Sequence, residues 1–145
     1  MEKFNFKFER LLDYKKTLEN HKKSEYGNIQ QKLIKEEEIL KNYCEFKNEL
    51  KKKKNKSSNK INVASLQLYN NYINDMNEII STQKELVNKA EDQLKTVKSE
   101  LLEIRKEKRA FERLKENKYE EYLYCVKKEE EKLIDTIVSF KGSTR

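Results

Sequence analysis

The sequence predicts an all-α protein: two long helices in an antiparallel coiled-coil hairpin, the second helix longer and overhanging at its C-terminal end. Three observations predict it. Apolar residues recur in alternating steps of three and four over residues 66–111, a 3.5-residue repeat that keeps one narrow stripe facing a partner helix. A second stripe of the same repeat runs over 4–50, separated from the first by a polar stretch that breaks the pattern. The composition is 41% charged, with two glycines and no proline, which suits long solvated helices packed along a thin seam and excludes a thick globular core.

The first helix is expected over about 4–54. Its seam reads Phe4, Phe8, Leu11, Lys15, Leu18, Lys22, Tyr26, Ile29, Leu33, Glu36, Leu40, Tyr43, Lys47 and Leu50. The lysines lay their alkyl stems along the seam and hold their charges outside. Two successive steps of four, from Leu18 to Lys22 to Tyr26, make a stutter that locally unwinds a supercoil. Gly27 follows it, at a cost of about 1 kcal/mol relative to alanine in a helix, so a softer or bent place is expected near 22–28. Residues 55–61, NKSSNKI, form the turn, because asparagine and serine compete with helical backbone bonds. The lysines before the turn suit the negative end of the helix dipole, and Asn59 or Asn62 is the expected N-cap of the second helix.

The second helix is expected over about 62–141. Its seam reads Leu66, Tyr69, Ile73, Met76, Ile80, Gln83, Val87, Ala90, Leu94, Val97, Leu101, Ile104, Lys108 and Phe111. Folding the chain at the turn sets Leu50 against Leu66, Tyr43 against Ile73, Leu33 against Gln83, Ile29 against Val87, Leu18 against Val97, Leu11 against Ile104 and Phe4 against Phe111. Polar seam residues meet large apolar ones: Lys15 faces Leu101, Lys22 faces Leu94 and Lys47 faces Tyr69. Each seam thus satisfies the other within one chain and one domain, 1–145. Tyr119, Tyr122, Val126, Leu133, Ile137 and Phe140 continue the stripe past the end of the first helix, with Leu123 and Ile134 beside it, and Gly142 then Ser143 ends the helix. At about 1.5 Å per residue the helices come to about 75 Å and about 120 Å. An unpaired apolar stripe on the overhang calls for another protein to cover it.

The formal charge is +7, and residues 51–60 alone hold six lysines and no acid. Such a run reads first as a solvated turn. Phosphate binding is the competing reading, disfavoured because no aromatic residue is interleaved to stack on bases. The sequence has no apolar run of membrane-spanning length and no signal peptide, so a cytoplasmic protein is expected. Cys44 and Cys125 are isolated and expected to be reduced, with no zinc site or disulfide. His21, the single histidine, has lysine neighbours and no nucleophile for a partner. The acidic runs 36–38 and 129–131 point around a helix and cannot converge on one ion. No phosphate loop, metalloprotease motif or nucleophile elbow is present, and a two-helix hairpin offers no pocket that excludes water. No enzyme activity, cofactor, metal or small-molecule substrate is expected.

Three stretches carry a family resemblance: the opening FNFKFERLLDYKK, the LYNNYINDMNEII after the turn, and RKEKRAFERLKENKYEEYL. In these, and in length and hairpin architecture, the chain resembles the flagellar export proteins of the FliJ family. The resemblance implies a non-enzymatic stalk of the flagellar type III export apparatus, similar to the central stalk of rotary ATP synthases. Its implied partners are the export ATPase (FliI-like), the membrane export gate (FlhA-like) and export chaperones, at the inner face of the cell membrane. By motif, the gate contact falls on Tyr72, Met76, Ile79 and Gln83. The end carrying both termini resembles the part of a stalk that enters the ATPase ring, through Phe4, Phe8, Arg105, Arg109, Arg113, Lys118, Tyr119 and Tyr122. The alternatives are a basic coiled-coil module that binds nucleic acid through 51–60, and the equivalent stalk of a virulence secretion system.

Overall fold

A computed structural model describes residues 2–57 and 62–144. They form two helices, α1 (Glu9–Ser57) and α2 (Val63–Ser143), and no strand is found among the described residues. Asn62 caps α2: its Oδ1 accepts from the Ser65 amide at 2.9 Å, and its carbonyl accepts from the Leu66 amide at 3.2 Å. That satisfies one of the donors a helix start leaves orphaned. Asn59, the other expected cap, and Lys60 lie outside the described residues. The helices divide into two packed units. One joins 22–57 to α2 up to residue 100, and the other joins the N-terminal residues up to 21 to α2 from residue 101.

In the first of these units the seam follows the 3.5-residue repeat. Tyr26, Ile29, Leu33, Glu36, Leu40, Tyr43, Lys47 and Leu50 on α1 are half-buried. On α2, Met76, Ile80, Gln83, Val87, Ala90 and Val97 are buried and Leu66, Tyr69, Ile73 and Leu94 half-buried. The antiparallel register shows in Gln83, whose Nε2 donates to the Glu36 carbonyl at 2.9 Å. Side chains lean toward the N-terminus of their own helix. Gln83 therefore reaches one turn along, to the level where Ile80 faces Glu36. Lys22 bridges to Glu100 for the same reason, both side chains leaning, and also to Glu25 at 3.1 Å. These ties raise the Lys22 pKa above its ordinary 10.5, the Glu100 hydrogen bond first and Glu25 second. A raised lysine pKa favours the folded state below the ordinary value. The effect is lost only as pH rises through the raised one, far above neutrality.

Three expectations at the N-terminal end of the chain are corrected. The first helix does not start at Phe4; it starts at Glu9, whose amide donates to the Phe6 carbonyl at 3.2 Å. The reason is in FNFKF, where aromatics alternate with polar residues. A period of two lines one side of an extended segment and cannot line one side of a helix. Phe6 is buried there, and Phe4 half-buried. The second correction concerns Leu11, which is 38% exposed, while its neighbour Leu12 is 1% exposed. The third is the stutter. Glu19 is buried at 6% exposure, and with Leu12, Lys15, Glu19, Lys22 and Tyr26 the seam steps by three and four without interruption. Leu18 is half-buried beside it.

Gly27 consequently lies in an uninterrupted helix with no positive φ, and a Cβ placed there would meet nothing within 4 Å. Gly27→Ala is expected to stabilise the protein by about 0.5–1 kcal/mol, because alanine loses less backbone freedom in the helix. A rise in the melting midpoint followed by circular dichroism checks it; a fall would mean that the backbone at 27 needs glycine. The end of α2 differs from the expected glycine stop as well. Gly142 is helical, and the last turn closes through the Thr144 amide and the Ser143 hydroxyl, both donating to the Phe140 carbonyl.

Candidate functional site

Two exposed surfaces stand out, one in each unit, and each follows from position in the repeat. In an antiparallel pair, the residue just before each first seam position of the repeat lies on one side of the hairpin for both helices, and the residue just after each second seam position lies on the other. On the first side α1 places Ile39 and Phe46, seven residues apart, and α2 places Tyr72, Ile79 and Leu86, again seven apart. All five are exposed, Phe46 at 50% and Tyr72 at 52%. Toward the turn the same side carries Lys53, Ser65 and Tyr72 around one shallow groove with Leu50, Leu68 and Tyr69. The opposite side presents Glu37, Lys51, Asn70, Asn77 and Lys84 with half-buried Cys44. Lys51 and Asn70 line a polar groove there, and Lys54 Nζ donates to Asn70 Oδ1 at 2.5 Å. This unit has one apolar side and one polar side.

The gate-contact residues implied by resemblance divide over this geometry. Tyr72 and Ile79 stand on the exposed apolar side; Met76 and Gln83 are buried in the seam. Residues spaced by four, three and four alternate here between a flank position and a seam position. Ile39, Phe46 and Leu86 share the exposed side with Tyr72 and Ile79, and the motif comparison missed them. The signal that finds them is the seven-residue spacing immediately beside the seam, repeated on both helices.

In the other unit the N-terminal segment lies along α2. Phe4 meets Tyr119 edge-on at 5.1 Å between ring centroids and Tyr122 at 5.6 Å. The Tyr122 hydroxyl donates to the Glu2 carbonyl at 2.9 Å. Phe8 is exposed yet packs near Phe111 at 6.1 Å. A groove on α2 is lined by Arg105, Arg109 and Arg113, one turn apart, together with Leu102, Ala110 and Leu114. Some of this charge is already engaged. Arg105 Nε is 3.6 Å from Glu19 Oε1, Arg109 is 3.5 Å from Glu112 and Lys118 is 3.3 Å from Glu121. Lys108 Nζ, on the seam, lies 2.5 Å from Glu19 Oε2, and Lys115 Nζ lies 2.9 Å from Glu9. The structure thus gathers Phe4, Tyr119 and Tyr122 into one aromatic cluster and Arg105, Arg109 and Arg113 into one basic stripe; Lys118 lies off that stripe, in a groove with Phe4 and Tyr122. Beyond Val126, residues 127–144 of α2 are exposed throughout, Leu133, Ile134, Ile137 and Phe140 among them.

Among the described residues no group of histidine, cysteine, aspartate or glutamate is arranged to hold a metal ion. No helix among them is long and apolar enough to cross a membrane. The two exposed surfaces are apolar on one unit and basic-aromatic on the other. A family model described as "Flagellar FliJ protein" matches residues 4–145. No curated protein and no solved structure matches the chain.

Proposed function

This chain belongs to the FliJ family of non-catalytic flagellar export components, and on that premise we propose that it is the stalk of the export apparatus, joining the export ATPase to the membrane export gate. The observation that carries the reading is the presence of two unlike docking surfaces on different residues of one chain. The gate protein docks on the apolar side at Tyr72 and Ile79, flanked by Ile39, Phe46 and Leu86. An amphipathic segment suits that side, since it offers apolar contacts spaced at helical turns. Met76 and Gln83 support it from beneath by fixing the seam. The ATPase ring engages Phe4, Phe8, Tyr119, Tyr122, Lys118 and the stripe of Arg105, Arg109 and Arg113, where arginine and tyrosine supply strong interface anchors. Export chaperones use the exposed apolar positions beyond Val126. The site of action is the inner face of the cell membrane.

Separation of the two contacts tests the reading. Purified protein is expected to raise hydrolysis by a flagellar export ATPase and to capture the gate protein. Tyr72→Asp with Ile79→Asp is expected to weaken gate capture about thirtyfold or more, the loss typical of buried interface anchors, while ATPase stimulation persists. Arg109→Glu with Arg113→Glu is expected to do the reverse. If neither partner responds to the wild-type protein, or if both pairs of substitutions affect both partners alike, the two-surface stalk is wrong.

A further inference from the structure

Of the lysine run at the end of α1, only Lys53 borders either surface, in the groove that also holds Tyr72. Lys51, Lys52, Lys53 and Lys56 are exposed, and no acid falls within 51–57. Lys54 alone is half-buried, held by Asn70. Compensating a helix C-terminus takes a cation or two in the last turn, so this concentration of positive charge exceeds what α1 needs. The start of α2 adds a second feature at the same end of the unit. Val63 is 75% exposed and Leu68 55% exposed, the first of these the most exposed large apolar residue among those described. Lys53 and Leu68 border the same groove.

Cations beside freely exposed aliphatic side chains are the composition of a surface that settles into a membrane interface. The cations meet anionic headgroups and the aliphatics enter the boundary with the acyl chains. We propose that this end of the hairpin docks on an anionic lipid bilayer, with Lys51, Lys52, Lys53 and Lys56 at the headgroups and Val63 and Leu68 entering the interface beside them. Nucleic acid accounts for the lysines alone. It has no use for two exposed aliphatics, and the run offers no aromatic residue on which a base stacks. The docking stands on these residues and does not rest on the ATPase and gate reading, although Lys53 and Leu68 border the groove that also holds Tyr72.

The test is flotation of the full chain with vesicles of phosphatidylcholine, with and without phosphatidylglycerol. Binding is expected only with phosphatidylglycerol and is expected to fall as salt is raised. Each lysine near an anionic surface contributes about a fivefold gain in partitioning. Lys51→Gln, Lys52→Gln, Lys53→Gln and Lys56→Gln combined are therefore expected to lower binding by about a hundredfold or more, at unchanged helix content. Val63→Ser with Leu68→Ser is expected to lower it about tenfold with the charge untouched, as burial of two aliphatics requires. The chain has no tryptophan, so Leu68→Trp provides a single reporter. Its emission is expected to shift to shorter wavelength on phosphatidylglycerol vesicles and to stay put on duplex RNA. Absence of lipid-dependent flotation overturns the proposal. So does flotation that the lysine variant leaves intact, or RNA binding as tight as vesicle binding with no emission shift on either.

Discussion

Leu12→Ala lowers stability by about 2–4 kcal/mol, whereas Leu11→Ala costs less than about 1 kcal/mol. The two leucines are neighbours in sequence and near opposites in environment, at 1% and 38% exposure. Removing a fully enclosed leucine forfeits its transfer energy and leaves a hole that a two-helix seam closes only in part. Removing an exposed leucine forfeits little. Leu12 also sits one helical turn after Phe8, whose carbonyl accepts the Leu12 amide at 2.9 Å as α1 begins. A cavity there loosens the start of α1 and the N-terminal segment ahead of it. Urea unfolding followed by helical ellipticity measures both variants. Equal losses, or a larger loss for Leu11→Ala, would return Leu11 to the seam and remove Glu19 from it, since Leu12 and Glu19, seven residues apart, share one register.

The second large effect concerns Glu19. Its carboxylate is buried and held by Lys108 at 2.5 Å and by Arg105 at 3.6 Å. Lys108→Ala removes a cation that lies 2.5 Å from a desolvated carboxylate, and is expected to cost about 3 kcal/mol, in the range found when one member of a buried pair is removed. Arg105 limits the loss to the lower end of that range. Glu19→Leu combined with Lys108→Leu is expected to bring stability back to within about 1 kcal/mol of the wild type or above it, because two apolar residues fill the seam without a desolvation penalty. The double-mutant cycle built from Glu19→Leu alone, Lys108→Leu alone and the pair therefore carries a large coupling term. Strict additivity of the two single substitutions would show that Glu19 and Lys108 do not interact in solution.

Much of the fold was legible because the α2 seam advertises itself. From Leu66 to Phe111 nearly every seam position is apolar, and each is buried or half-buried in the structure. Where a seam position is charged, hydrophobicity misleads. A search for apolar residues takes Leu11 and Leu18 and passes over Glu19, which is tolerable inside because cations, Lys108 among them, meet it there. Lys108 was itself visible as one of two polar residues in the α2 stripe, so the burial of an acid opposite was readable from the partner helix. The helix start was misplaced for a different reason. Phe4 and Phe8 fit a helical step of four, but Phe6 between them makes the spacing two, and the shorter period governs. Of the candidate site, the basic stripe at Arg105, Arg109 and Arg113 follows from spacing alone. The apolar side needed both helices in register before Ile39 and Phe46 joined Tyr72 and Ile79.

The antiparallel register also fixes an order of events during synthesis. Lys54 and Asn70 are 16 residues apart, Glu36 and Gln83 47, Lys22 and Glu100 78, Lys15 and Glu107 92, and Glu2 and Tyr122 120. Each contact made near the turn shortens the open chain that the next must close, and closure cost grows with the length left open. Pairing therefore proceeds outward from the turn, and the N-terminal aromatics, although translated first, find Tyr119 and Tyr122 last. All of α1 emerges before any of its partner exists. That gives a physical reason for the unequal polarity of the two seams. The half that waits alone in water carries Lys15, Glu19, Lys22, Glu36 and Lys47 among its seam residues, whereas the more apolar half is made when a partner is already at hand to cover it.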